Sequence, residues 1–449
     1  MGSMGKRAEQ ITAAAAAALV KSGDWVDYGF GIGQPEAFDA ALAARKDALE
    51  QVKIRGALSL RARQVLETDR EGRHFQWFNW HFSGYDRRQH DAGLANYIPM
   101  NFGEAPDFYR RYIDPVEVAV FKCCPKDAGG YYNFSGACTY HAAVLERARV
   151  VVVEIDEKLP YCHGPQGEGP PNGVHESHVD YVIQGDSPGA PEISNPPPSA
   201  IDRTIAGFIA AEVEDGACLQ IGIGAMPNAV CATLKDAGVR DLGIHTEMLV
   251  DGIIDLYEAG VVTNARKRLN PGVMVYTFAA GSRRQYEFLH DNRALETWPV
   301  DYTNLPHNIM QNERVVSVNN TTQIDLQGQA ASETDGHRHI SGTGGQLQFV
   351  RGAYASKGGK SFMCLSSTYD KGKDGQKRSR IAVGLTPGNV VTTPRTDTMY
   401  VVTEYGLVNL KGRSVAERAK ALISIAHPDF REELARGARD KNLVPRHFL

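Results

Sequence analysis

Residues Asp215 to Gly252 read DGACLQIGIGAMPNAVCATLKDAGVRDLGIHTEMLVDG, and their order of apolar and small residues decides the fold. An apolar run from Ala217 to Ile223 meets the turn Gly222-Ile223-Gly224-Ala225-Met226-Pro227. A helical pattern follows from Asn228 to about Ala237, with apolar Ala229, Val230, Ala232 and Leu234. This is strand, tight turn, helix. A second short strand, Leu242 to His245, then delivers Thr246, Glu247 and Met248 to its carboxyl end. In an open parallel sheet, ligands bind outside the carboxyl ends of the strands, so the glycine turn and Glu247 are expected to face one site. Missing Cβ atoms let a backbone approach a ligand, and a helix N-terminus offers free N–H donors. A carboxylate beside such donors is a candidate nucleophile. Taken alone, the same residues also suit a structural turn and a solvated glutamate.

The chain repeats this pattern once. KSGDWVDYGFGIGQPEAFDAAL, from Lys21 to Leu42, aligns with EDGACLQIGIGAMPNAVCATL, from Glu214 to Leu234, setting Gly29 and Gly31 against Gly222 and Gly224. Further on, VKIRGAL from Val52 aligns with LGIHTEM from Leu242, so Ala57 stands where Glu247 stands. Two related α/β halves are expected, with the carboxylate in the second half alone.

Length agrees with two units, since 449 residues exceed what one hydrophobic core usually holds. SPGAPEISNPPPS, Ser187 to Ser199, is the linker candidate, giving domains at 1–190 and 200–449. Each is read as an open α/β/α layer with a mostly parallel sheet. In the first half, Val116 to Lys122 reads as a strand by its β-branched content, and the four consecutive valines of Arg149 to Ile155 leave no polar face, as in a strand covered on both sides. Helices are expected at Lys6 to Lys21, Tyr140 to Arg147 and Ala200 to Glu214, and a strand pair across Val390 to Gly406. Trp77, Trp80 and Phe82 read as core or interface.

Charge is nearly balanced, with 49 basic and 53 acidic residues and a formal net of -4, which argues against a nucleic-acid binder that relies on a basic field. No apolar stretch approaches the roughly 20 residues of a membrane span. Seven cysteines without a C-x-x-C pair suit a reduced cytosol. The leading residues Met1 to Met4 read as an expression remnant. Neither His163, His175 and His178 nor His337 and His339 has H-E-x-x-H spacing, so no metal site is expected. A G-x-S-x-G elbow is absent, and Pro227 occupies the third glycine position of a dinucleotide fingerprint.

A second glycine-rich stretch, SGTGGQLQFVRGAYASKGGKS, runs from Ser341 to Ser361 and carries Arg351, Lys357 and Lys360. It lacks P-loop spacing, because Tyr354 stands where the first glycine belongs. Its free N–H groups and cations suit an oxyanion or a phosphate-bearing ligand, and a solvated hairpin turn is the plain alternative.

With these motifs in order, GIGAMPNAV, LGIHTEMLVDGIIDLYEAGVVTN, SGTGGQLQFVRGA and TTPRTDTMYVVTEYGLVNLKGRSVAERAKALISIAHPDFREEL, nearly the whole chain resembles the acetyl-CoA hydrolase/transferase family. That is the branch of family I CoA-transferases with 4-hydroxybutyrate, butyrate and itaconate CoA-transferases. The resemblance implies two similar α/β domains with the active site between them and Glu247 as nucleophile, with Glu333 of Ser332-Glu-Thr-Asp-Gly336 as runner-up. It implies a backbone pocket from Gly224, Ala225, Gly342, Gly344 and Gly345, and a substrate pocket touching Gly31, Met226 and Gln348. Arg351, Lys357 and Lys360 are candidates for the CoA phosphates. Gln348 stands where the family tends to have aspartate, and the loop Tyr161 to Asn172 looks longer than the family pattern. CoA or acyl-CoA would be a substrate and no cofactor permanently bound; the partners would be an acyl-CoA, a small carboxylate (4-hydroxybutyrate, butyrate, itaconate, succinate or acetate) and copies of the same chain in a dimer or tetramer. A hydrolase using the same site and a CoA-binding module without catalysis are the alternatives.

Overall fold

The two valine-rich strands expected at Val116 to Lys122 and Arg149 to Ile155 pair with each other near the centre of an eight-stranded sheet. The computed structural model describes residues 8–166, 169–194, 196–371 and 375–445; the remnant expected at Met1 to Met4 lies outside them. The first sheet comprises β1 (Glu9–Gln10), β2 (Trp25–Phe30), β3 (Val52–Ala57), β4 (Phe75–Asn79), β5 (Ala95–Tyr97), β6 (Val116–Cys123), β7 (Ala148–Ile155) and β8 (Tyr181–Gln184). Its order is β1-β8-β7-β6-β2-β3-β4-β5, with every neighbour parallel.

The second half repeats the order. β9 (Cys218–Ile221), β10 (Gly243–Ile244), β11 (Met274–Tyr276), β12 (Leu295–Thr297), β13 (Val315–Asn320), β14 (Lys360–Cys364), β15 (Tyr400–Thr403) and β16 (Gly406–Asn409) follow in the chain. Six of them form the sheet β10-β9-β13-β14-β15-β16, antiparallel only at β16. β11 and β12 pair in parallel, and a parallel bridge from His245 to Val275 ties them to the β10 edge. Thus β5-β4-β3-β2-β6-β7-β8 has its counterpart in β12-β11-β10-β9-β13-β14-β15. Register supports the internal alignment: Trp25 pairs with Lys53 and Cys218 with Gly243, and four residues beyond each partner stand Ala57 and Glu247.

Helices α1 (Ala37–Ala43), α2 (His141–Arg147), α3 (Ala225–Asp236) and α4 (Gln346–Ala355) occupy matching positions in the two halves. α3 turns Met226, Ala229, Val230, Cys231 and Leu234 inward, each large side chain contributing about 1.5–3 kcal/mol by leaving water. Helix Ala200–Ala210 begins with a capping box, in which Ser199 and Asp202 satisfy each other's backbone N–H groups. All seven cysteines are buried and free. No helix of the described residues is long and apolar enough to cross a membrane.

Two local expectations shift and one alternative falls. The opening helix covers only Ala13–Ala17, because Thr12 caps it and the residues before it pair as β1. The strand pair expected from Val390 begins at Tyr400, since Thr392 and Thr393 instead donate their backbone N–H groups to Ala330. The stretch from Ser341 to Ser361 is no hairpin: its glycines lead into α4.

Candidate active site

Glu247 lies just beyond β10, and the chain pins its backbone before its side chain does anything. Thr277 and Phe278 both donate N–H bonds to the Glu247 carbonyl, at 3.0 and 3.2 Å, and Thr246 donates to Val275. The side chain enters a cavity of about 290 Å³ at the carboxyl ends of β9 and β13, walled by Gln220, Gly222, Ile223, Asn319 and Asn320. Leu58 and His81 close it from the first half.

Two donors meet the carboxylate. Asn304 Nδ2 donates to Glu247 Oε2 at 2.5 Å, and the Gly345 backbone amide bonds the same carboxylate. Gly345 caps α4, so Glu247 faces the positive end of a ten-residue helix. A Cβ at Gly345 would overlap both Glu247 Oε2 and Asn304 Nδ2, and Gly344 has φ +54, a conformation that side chains disfavour. Glycine is therefore required here twice, once for contact and once for conformation.

Asn304 has its own support. Thr303 Oγ1 donates to Asn304 Oδ1 at 2.9 Å, which turns the amide nitrogen towards Glu247. His245 Nε2 in turn donates to the Thr303 carbonyl at 2.8 Å, a bond the neutral ring makes with its single N–H. Burial, then the charge of Lys267, lowers the pKa of His245 to about 3. Burial dominates at Glu247 too and raises its pKa to about 7, against the opposing pull of Asn304 and Gly345.

Gly342, Gly344 and Gly345 line the cavity beside Glu247. Gly224 stands one residue past the lining, where a Cβ would come 3.6 Å from Asn320 Nδ2, and Ala225 begins α3 behind it. Met226 points into the α3 core instead. Gly31 is buried behind Leu58. Gln348 does not face the cavity: its Oε1 accepts the Gly103 N–H at 2.9 Å and so ties the two halves together.

The three cations also lie elsewhere. Arg351 pairs with Asp397 at 2.8 Å and Lys357 reaches Glu313 at 3.5 Å. Lys360 opens β14, at the end of the strand away from the cavity, and binds the Glu212 carboxylate and carbonyl. Glu333 is buried and accepts bonds from the hydroxyls of Tyr97, Thr343 and Thr392, which makes it a clamp on the glycine loop. Trp77, Trp80 and Phe82 are core, as their clustering suggests. Asn304, Thr303 and His81 were not legible as site residues: Asn304 carries no motif, and His81 follows a strand whose aromatic content points to packing.

Two family models match most of the chain. The acetyl-CoA hydrolase/transferase N-terminal domain matches residues 7–190 and the corresponding C-terminal domain residues 281–438. The chain belongs to the acetyl-CoA hydrolase/transferase family. Among its relatives, a butyryl-CoA:acetate CoA-transferase of Anaerostipes caccae is 43% identical, the match covering 95% of each chain. A 4-hydroxybutyrate coenzyme A transferase of Clostridium kluyveri is 38% identical over 94% of this chain and 96% of its own. RipA from Yersinia pestis superposes with a TM-score of 0.86 at 37% identity, covering 97% of this chain and 98% of that one.

Proposed function

We propose that this enzyme moves CoA from a short-chain acyl-CoA to a small carboxylate through a covalent intermediate on Glu247. CoA transfer is the activity its full-length relatives share. The observation that carries the residue assignment is the Glu247 carboxylate, held by Asn304 and Gly345 and facing an open cavity at a helix N-terminus.

Glu247 attacks the thioester carbonyl; the C–S bond breaks, leaving an acyl-glutamyl anhydride and CoA thiolate. The thiolate then attacks the glutamyl carbonyl, the C–O bond breaks, and the donor acid leaves as its carboxylate. Glutamyl-CoA remains. An acceptor carboxylate attacks that thioester, regenerating thiolate and a new anhydride, and the thiolate takes the new acyl group and frees Glu247. Whenever the glutamyl carbonyl is attacked, its oxygen gains charge where Asn304 Nδ2 and the Gly345 N–H already point, which is the electrostatic arrangement that lowers such barriers. Binding energy from the remote nucleotide of CoA is available for the same steps.

The reading also takes CoA as a substrate with no permanently bound cofactor, domains at 1–190 and 200–449, a homo-oligomer and a cytoplasmic location. The seven free cysteines suit that compartment. The test is acid release from butyryl-CoA with no acceptor present. Transfer predicts one equivalent of butyrate per active site and then a halt. Continuous release would overturn it in favour of hydrolysis.

A further inference from the structure

We infer that the Glu247 cavity selects carboxylic acids whose tail is uncharged, and that His81 recognises a hydroxyl on that tail. The inference rests on the transferase reading above and adds the substrate class.

Charge is the first argument. Glu247 is the one ionisable carboxylate among the described residues that line the cavity, and no lysine or arginine is among them. Leu58, Ile193, Ile223, Phe278 and Phe349 supply apolar wall. A dicarboxylate would bring a second negative charge into this space, next to Glu247 and without a cation, and like charges at such close range repel. Arg351 and Lys360 are outside and already paired. Arg87 is close enough for its charge to act on His81, yet it does not line the cavity.

His81 is the second argument. If Gly344 carried a Cβ, it would lie 3.5 Å from His81 Cε1, 3.7 Å from His81 Nδ1 and 3.6 Å from Glu247 Oε1. Imidazole and carboxylate thus flank one small space. Other polar groups of the wall are bonded within the protein: Gln220 with Ser317 and Asn319, Gln346 with Ser332 and Thr393, Thr343 with Glu333. The His81 ring makes no hydrogen bond to any described residue. Burial, helped by Arg87, lowers its pKa to about 4, so at neutral pH it offers one N–H donor and one acceptor. A hydroxyl satisfies either without adding charge.

Acetyl-CoA as donor and a four-carbon acceptor series test this: butyrate, 4-hydroxybutyrate, succinate and monomethyl succinate, with glutamyl-CoA followed in parallel by mass spectrometry. Succinate should show a kcat/KM at least about a hundredfold below butyrate, and its monomethyl ester should recover most of the loss. His81→Leu should lower the 4-hydroxybutyrate to butyrate ratio of kcat/KM about tenfold, and His81→Gln, which keeps a donor, should restore it. Succinate within tenfold of butyrate while glutamyl-CoA forms, or an unchanged ratio in His81→Leu, would overturn the inference alone. No glutamyl-CoA and no transfer to any acceptor would overturn the transferase reading and this inference with it.

Discussion

The two halves share a strand order and differ in what fills the crevice at the strand ends. In the second half, Glu247 follows β10 and the loop before α4 ends in Gly344 and Gly345, which leaves open volume. In the first, Ala57 holds the matching position and is fully buried. Here the loop before α2 ends in Tyr140, whose hydroxyl donates to the Gly29 carbonyl at 2.9 Å. Phe30 stacks on Phe102, and Phe278 reaches across from the second half to meet Phe30, with ring centroids 4.8 Å apart. One crevice stays open around Glu247, and the other is filled by the aromatic joint that holds the cavity's far wall. The fold supplies the same crevice twice, and a handful of side chains decides which copy stays open.

Substituting at the matched positions should therefore have opposite consequences. Ala57→Glu would set a carboxylate among Phe30, Trp80 and Phe102, with a cost of about 4 kcal/mol and no new activity; urea unfolding reads it. A well-folded, doubly active variant would break the comparison. Glu247→Gln should abolish transfer and yet stabilise the fold. Because the folded-state pKa of Glu247 is raised from 4.5 to about 7, the folded protein holds this proton more tightly than the unfolded chain. The stability this provides is complete below about pH 4.5 and is lost as pH rises through 7. Wild type and variant should match at low pH, and the variant should lead by about 3 kcal/mol at pH 8, before any loss at the Asn304 contact.

Two further changes sharpen the account of the second crevice. Gly345→Ala should lower kcat about a hundredfold with little change in melting temperature, since a Cβ there displaces both Glu247 and Asn304. Thr303→Val removes the bond that orients Asn304. The proposed attack by ionised Glu247 predicts a kcat/KM that rises with pH through an apparent pKa near 7. In Thr303→Val that limb should move to higher pH and kcat fall about tenfold, while Thr303→Ser restores both.

Much of this was legible in the residues. The repeat, the paired glycine turns and the alignment of Ala57 with Glu247 follow from local apolar patterning, which short parallel strands record faithfully. Asn304 was hidden because it comes from a five-residue helix 57 positions away in the chain, and no local pattern marks such a meeting. The cations of the second glycine stretch misled because sequence gives their proximity to the glycines but not their direction: α4 carries Arg351 out to Asp397, and Lys360 begins the strand whose other end faces the site. Gln348 misled similarly, turning from the cavity to the first half at Gly103.

The central claim is that Glu247 becomes covalently linked to CoA. Incubation with acyl-CoA and no acceptor, then borohydride and peptide mass spectrometry, tests it directly, because borohydride reduces an enzyme thioester to an alcohol. The account predicts a loss of roughly 14 Da on the peptide containing Glu247. The same loss on the Glu333 peptide, or an unmodified Glu247 while acyl-CoA is consumed, would contradict it.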